Sequence, residues 1–364
     1  MTAIKYPVYQ PSLNGNEKKY VIECLDSSWI SSKGKFVNQF EDQFSNFVGA
    51  NYGTAVCNGT VALHLALLGL GIGEGDEVIV PTLTYIASVN SITYTNATPV
   101  FVDSLEDTWQ IDPEDVKRKI TSKTKAVMVV HLYGHTCDMD ALKKICDEHH
   151  LFLIEDCAEA IGSKYKGQHV GTFGDVATFS FYGNKTITTG EGGMVLTNDG
   201  SLHDRIVHLK GQGLAKYREY WHDIIGYNYR MTNICAAIGV AQLEQIGSVL
   251  SKKRQIAKWY QKFSKDTSFI FHGESDDVFH SYWMNTILLP EEMDRDALKQ
   301  FLIDRGIETR PMFYPIHTMP IYSKKYEKHQ VADRLARRGM NLPSYPGLTE
   351  IDVKEIVNTL LNFE

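Results

Sequence analysis

The chain has 364 residues, 43% of them hydrophobic and 22% charged, with a formal net charge of −7. That length exceeds one ordinary compact domain and fits a large domain with a smaller one, enough chain for a true cleft between them. The acidic balance and the absence of clustered Lys and Arg exclude a nucleic-acid-binding surface, while a single nucleotide would need only a few local cations.

The opening MTAIKYPVYQPSLNG has no apolar core of signal-peptide length. No later run reaches the roughly 18 uninterrupted apolar residues of a spanning helix, so a cytoplasmic protein without a membrane partner is expected. Thr54 to Cys57 reads as a short strand, and Asn58-Gly59-Thr60 then opens a helix whose Val61, Leu63, Leu65, Leu67 and Leu68 nearly surround it, the pattern of a buried helix. Strands follow at Glu77 to Val80, Pro99 to Val102, Ala126 to Val130, Leu151 to Ile154, Val176 to Phe181 and Met194 to Thr197. Such alternation of strands and helices predicts a three-layer α/β/α fold on a largely parallel sheet. Met231 to Leu250 reads as one long helix extended by the basic, aromatic stretch Lys252 to Phe263. The expected division is therefore a large domain over 1–250 and a small α+β domain over 251–364. In the latter, Tyr282 to Leu289 reads as a strand, Asp294 to Arg305 as a helix ended by Gly306, and Asp352 to Leu361 as a final helix.

Four motifs carry chemistry. Ser180-Phe181-Tyr182-Gly183-Asn184-Lys185, followed by Gly190-Glu191-Gly192-Gly193, is a strand that ends in a lysine-bearing, glycine-rich loop. An isolated lysine is usually a surface residue, but one whose neutral amine is accessible can form an imine with an aldehyde cofactor. Ile154-Glu155-Asp156-Cys157-Ala158-Glu159 delivers carboxylates to the same sheet edge. Read alone it is a helix cap or metal ligand; beside Lys185, Asp156 suits the nitrogen of a pyridine ring, keeping the ring protonated as an electron sink. Cys57-Asn58-Gly59-Thr60 at a helix start offers free N–H groups to a phosphate, against an ordinary N-cap as the plain alternative, and Ser180 can add a hydroxyl. Tyr85 is the candidate for stacking on the ring.

Other clusters point to nothing. The cysteines at 24, 57, 137, 146, 157 and 235 lack paired spacing, Asp147-Glu148-His149-His150 lacks ligand spacing, and no metal is expected. The glycines of Gly69 to Gly75 follow a helix and precede a strand, the reverse of the dinucleotide-binding order, and read as a loop.

These motifs, with Gly75-Asp76-Glu77-Val78-Ile79-Val80-Pro81, His131-Leu132-Tyr133-Gly134 and Phe179-Ser180-Phe181, resemble in order and spacing the DegT/DnrJ/EryC1/StrS family of sugar aminotransferases, over nearly the whole chain. The resemblance implies an aspartate-aminotransferase-like fold (fold type I) and pyridoxal 5'-phosphate as cofactor. It implies that Lys185 holds the cofactor covalently, Asp156 pairs with the ring nitrogen, Glu159 lies near the ring hydroxyl where many relatives carry Gln, and Tyr85 stacks. Asn58, Gly59, Thr60 and Ser180 would surround the phosphate, and Asn228 would reach a partner subunit's phosphate, giving a homodimer with active sites at the subunit interface. Trp29, Tyr314 and His317 would face the sugar nucleotide. Segments such as Trp29-Ile30-Ser31-Ser32 and Pro315-Ile316-His317-Thr318-Met319-Pro320 narrow the implied substrates to L-glutamate and GDP-4-keto-6-deoxy-D-mannose, with amino transfer in ping-pong order. Another 4-keto-6-deoxy nucleotide sugar is the alternative. The family's dehydratases, which carry histidine in place of the lysine, are disfavoured by Lys185, and a catalytically silent relative by the complete cofactor set.

Overall fold

The computed structural model describes residues 3–323 and 327–363. All seven expected strands enter one sheet: β1 (Tyr52–Val56), β2 (Glu77–Pro81), β3 (Thr98–Val102), β4 (Thr124–Val130), β5 (Phe152–Asp156), β6 (Val176–Ser180) and β7 (Gly193–Thr197), in the order β1-β7-β6-β5-β4-β2-β3. Neighbours from β6 to β3 run parallel, and β7 runs antiparallel to both β6 and β1. Twelve helices are described, α1 (Glu17–Asp26), α2 (Lys35–Val48), α3 (Gly59–Gly69), α4 (Ile86–Tyr94), α5 (Pro113–Lys119), α6 (Met139–His149), α7 (Gly200–Lys210), α8 (Asn233–Leu243), α9 (Ile246–Phe263), α10 (Arg295–Ile303), α11 (Gln330–Arg338) and α12 (Glu350–Leu361).

Alternation of side chains along the strands sorts these helices into two layers. Val78, Val80, Ala126, Met128, Ile154 and Val176 turn to α3, α4 and α7. Ala177, Phe179, Met194 and Leu196 turn the other way, to α2 and α8, and Ile79, Val127, Val129 and Leu153 to α5 and α6. With both faces covered, β6 and β7 are buried at every position, as a sheet inside an α/β/α sandwich requires.

A second sheet, all antiparallel, joins β8 (Ile270–Phe271), β9 (Asn285–Leu288), β10 (Arg310–Pro311) and β11 (Gly339–Leu342) in the order β8-β9-β11-β10. Its core combines Ile287, Met340 and Leu342 with Ile256 and Tyr260 of α9, Leu298 and Leu302 of α10, and Val353, Ile356 and Leu360 of α12. Tyr6 belongs to this core, so the N-terminal segment packs with the C-terminal elements.

Three element boundaries differ from the sequence reading. The long helix from Met231 is broken: α8 and α9 meet at Glu244–Gln245 with a 63° bend. No proline causes it. The polar residues at the junction are anchored elsewhere, Gln242 donating to Ser12 and Glu17 and Glu244 accepting from Asn16 and Tyr20. The bend lets Ile246 and Leu250 stay in the large core while Ile256 and Tyr260 enter the second one. The strand expected from Tyr282 begins only at Asn285, because Tyr282 takes a left-handed φ of 51°. The last helix starts at Glu350, capped reciprocally by Thr349 and Asp352. Among the described residues no single helix is long and apolar enough to cross a membrane, and the bent pair α8–α9 satisfies length and composition only jointly.

Candidate active site

Strand register assembles the site at the carboxyl edge of the large sheet. Val130, Asp156 and Thr178 lie side by side on β4, β5 and β6, and Ser180 and Val56 both pair with Gly193 of β7. Hence the chain leaving β6 towards Lys185, the chain leaving β5 at Asp156 and the start of α3 converge on one edge.

Asp156 is 4% exposed; its Oδ2 accepts from the Ser88 hydroxyl at 2.8 Å and its Oδ1 from the Ala158 N–H at 3.1 Å. Burial pushes its pKa above the ordinary value, while Ser88, Ala158 and the Lys185 charge pull it back. Glu159 is 3% exposed and accepts from the Tyr133 N–H at 2.7 Å. Burial raises its pKa to about 7, against the pull of Lys185. Lys185 moves the other way: burial lowers its pKa, opposed by Glu159 and Asp156. A low-dielectric site with one amine facing two carboxyl groups is where a lysine is driven towards neutrality yet retains a counter-charge.

The start of α3 meets Ser180. Asn58 caps the helix by accepting from Val61 N–H at 3.0 Å, which is the ordinary N-cap role. The first N–H groups of Gly59 and Thr60 have no partner four residues earlier in the helix, so this helix start can offer them to an anion. A Cβ at position 59 would lie 2.7 Å from Ser180 Cβ, and one at 193 would lie 2.5 Å from the Asn58 carbonyl oxygen. Only glycine at both positions allows the start of α3, the end of β6 and the start of β7 to approach this closely.

Tyr85 stands at the N-cap of α4, 55% exposed, with its ring 5.7 Å from that of Phe313. Phe313 stacks on Tyr133 at 5.3 Å, and Tyr133 on Trp283 at 6.1 Å. His317 is buried; its Nδ1 lies 2.7 Å from the Thr82 hydroxyl and its Nε2 3.5 Å from Asp333. Tyr314 is half-exposed and accepts from Arg295 at 3.2 Å. Trp29 is exposed, its carbonyl accepting from Asn233 at 2.7 Å. Asn228 is exposed and accepts from Arg230, with a backbone bridge to Gly211, so its described contacts are not with the Lys185 group of its own chain.

The sequence reading missed Ser88, Tyr9 and Trp283. Ser88 holds Asp156, the Tyr9 hydroxyl donates to the Lys185 carbonyl at 2.5 Å, and the Trp283 indole N–H donates to the Asn184 carbonyl at 2.7 Å. Tyr133 was part of a quoted motif without a role; its left-handed φ of 57° directs its N–H to Glu159.

His131, Glu155 and Cys157 form a buried group with metal-like proximity. Glu155, however, accepts from the backbone N–H of Gly171, Phe173 and Gly174 and from His131, whose Nδ1 in turn accepts from Cys137 N–H. Its lone pairs are engaged in holding the 171–174 turn, so the cluster reads as a satisfied polar core. A cavity of about 660 Å³ lined by Arg205, His208, Lys216 and Ile224 lies between α7 and the following loop, outside the Lys185 centre.

A glycine-lined helix start, an acidic residue at the edge of the sheet and a lysine whose pKa is lowered by burial fit pyridoxal phosphate, whose phosphate, ring nitrogen and aldehyde would meet them in that order. Comparison with known proteins agrees. The model of the DegT/DnrJ/EryC1/StrS aminotransferase family matches residues 11–361. A GDP-perosamine synthase of Escherichia coli O157:H7 is 62% identical over 361 residues, covering 99% of each chain. Helicobacter pylori PseC, an aminotransferase of pseudoaminic acid biosynthesis, superposes with a TM-score of 0.93 at 27% identity, covering 98% of both chains. Spr1654 of Streptococcus pneumoniae in its PLP form gives 0.93 at 27% identity, covering 97% of both.

Proposed function

Because the chain belongs to the DegT/DnrJ/EryC1/StrS aminotransferase family, we propose that it moves an amino group from L-glutamate to C4 of GDP-4-keto-6-deoxy-D-mannose. The products are GDP-perosamine, destined for O-antigen and lipopolysaccharide biosynthesis, and 2-oxoglutarate, and the enzyme is assigned to the cytoplasm. The chain is a pyridoxal-phosphate enzyme of fold type I. The observation that carries the reading is the meeting of Lys185 with Asp156 and Glu159 beside the glycine-lined start of α3. The choice of sugar rests on the 62% identity to a GDP-perosamine synthase across the full chain.

When bound, pyridoxal phosphate supplies an aldehyde that takes up the amino group and a protonated ring that withdraws electrons. Lys185 Nζ would hold it covalently and, once displaced by the donor's amine, would serve as the general acid/base that takes the proton from the donor's α-carbon. Asp156, held in place by Ser88 and Ala158, would pair with the ring nitrogen and keep a proton there. Glu159 is assigned to the ring hydroxyl and Tyr85 to one face of the ring. Gly59, Thr60 and Ser180 bind the phosphate, and Asn58 holds the helix start that presents those amides. Asn228, exposed on a loop that leads back along β1 through the Val56–Arg230 bridge, is assigned to the partner subunit's phosphate. Two such assignments make the active unit a homodimer. Trp29, Tyr314 and His317 are assigned to the sugar nucleotide, His317 acting from its bond with Thr82 at the edge of β2. The division at about residue 250 into large and small domains is supported by the two cores that α9 joins.

The test is to give the pyridoxal-phosphate-loaded protein L-glutamate and GDP-4-keto-6-deoxy-D-mannose and follow both products by mass spectrometry. GDP-perosamine appearing with 2-oxoglutarate in equal amounts, and neither with Lys185→Ala, is expected. Glutamate turnover without amination of this sugar would refute the substrate and direct the search to other 4-keto-6-deoxy nucleotide sugars.

A further inference from the structure

Two aromatic side chains from outside the large sheet grip the peptide on either side of the Lys185 α-carbon. Trp283 donates its indole N–H to the Asn184 carbonyl at 2.7 Å, and Tyr9 donates its hydroxyl to the carbonyl of Lys185 itself at 2.5 Å. The same indole presents its face to the lysine: Lys185 Nζ lies 4.0 Å from the ring centroid. Trp283 is 4% exposed, stacked on the buried Tyr133, and follows Tyr282 in its left-handed conformation. A β-branched-free aromatic residue held in that region is strained, and the strain persists only where surrounding contacts fix it. Here those contacts set the indole under the amine.

An indole face attracts a cation within about 6 Å through its ring quadrupole and does far less for a neutral amine. The charged groups facing the Lys185 amine are Glu159, from the turn after β5, and Asp156 at the end of β5. Both carboxyl groups are needed for the cofactor's ring once it is bound, whereas the indole is not among the groups assigned to it. A resting place for the free amine that does not compete with the cofactor is therefore built into the fold.

Resting on the reading of Lys185 as the lysine that holds pyridoxal phosphate, we propose that Trp283 is a positioning residue for it. Its N–H fixes the peptide from which the side chain swings, and its ring receives the amine as a cation whenever the cofactor is not attached to it. Removing the face makes the free amine less basic. At a pH below its midpoint more of it is then neutral, and covalent capture of added pyridoxal phosphate begins at lower pH. Loss of the tether acts in the opposite sense on turnover, since the amine returns less reliably to the substrate's α-carbon.

The experiment uses the full-length chain cleared of cofactor. Pyridoxal phosphate is added between about pH 6 and 10, bracketing the approach to the ordinary lysine value near 10.4, and growth of the bound-cofactor absorbance band is timed. Wild type, Trp283→Phe, Trp283→Leu and Tyr9→Phe are compared, with Lys185→Ala as the blank and thermal unfolding of each as the folding control. The capture midpoint is expected to fall by roughly half to one pH unit in W283L and by less in W283F. The kcat of the loaded enzyme should drop about tenfold, with the KM for L-glutamate within about twofold of wild type. Y9F, which loosens the peptide but keeps the indole, should slow capture without moving the midpoint. If W283L does not fold, W283F decides. An unchanged or raised midpoint in a folded Trp283 variant overturns the proposal, because a packing role slows capture equally at every pH. Failure of wild type to capture the cofactor, or an equal band from Lys185→Ala, would instead overturn the reading of Lys185 on which the proposal rests.

Discussion

Asp156 and Glu159 are three residues apart and both buried, and burial raises the pKa of each against a different set of hydrogen-bond donors. Asp156 has two donors and Glu159 one, and burial raises Glu159 to about 7. A carboxyl group whose folded-state value lies above its unfolded one binds its proton more tightly in the folded state, so its contribution is complete below about pH 4 and lost as pH rises through about 7. Wild type should therefore lose stability relative to Glu159→Gln across that window, by up to about 3 kcal/mol in urea unfolding. The same substitution should remove an inflection near pH 7 from the activity profile; an identical profile in both proteins would place the titration elsewhere. Ser88→Ala should lower kcat about tenfold while the fold survives, through loss of a hydrogen bond to a charged group. Lys185 and Asp156 are legible in the sequence because each ends a strand at a polar turn. Ser88, Trp283 and Tyr9 are not, since they meet their partners across 68, 99 and 176 residues and nothing local to them signals the contact.

At the scale of elements, the anion cradle follows from register. Gly193 pairs with both Ser180 and Val56, which forces the start of α3 against the end of β6 and leaves no room for a side chain at Gly59. Gly59→Ala should weaken cofactor retention about tenfold or more and cost about 1–3 kcal/mol of stability, as overpacking at a rigid contact does; retention can be read by dialysis and the visible band. Unchanged retention would mean that the cradle is not where the phosphate binds. The seven strands and the buried α3 were readable because strand patterning and helix patterning differ plainly in their stretches. The bend between α8 and α9 was not, because it is imposed by Gln242 and Glu244 binding the N-terminal segment rather than by a proline or glycine at the break. The late start of the strand expected from Tyr282 is likewise visible only in three dimensions, where the left-handed backbone of Tyr282 delivers Trp283 to the lysine loop.

For the whole molecule, the junction between the two cores is the element that sequence describes least. Lys253 of α9 is completely buried there, donating to the Ser344 carbonyl at 2.8 Å and lying 5.1 Å from the Tyr9 ring. Burial lowers its pKa to about 7. A depressed folded value contributes stability above the unfolded value near 10.4 that is lost as pH falls through about 7. Lys253→Met should thus be more stable than wild type at neutral pH, by about 1–4 kcal/mol, with the difference closing towards pH 10; a pH-independent difference would argue for packing alone. Assembly has its own test. If Asn228 completes the partner's site, mixing inactive Lys185→Ala and Asn228→Ala dimers and letting subunits exchange should restore about a quarter of wild-type activity, because each mixed dimer keeps one intact site. No recovery after verified exchange would confine each site to one chain. The central claim, that Lys185 is the residue through which this chain handles its cofactor, is tested most directly by reducing the pyridoxal-phosphate-loaded protein with borohydride and mapping the added mass by peptide mass spectrometry. The account predicts it on the peptide bearing Lys185 and nowhere else. Its appearance on Lys253, the fully buried lysine whose pKa is also lowered, or on no lysine at all, would contradict it.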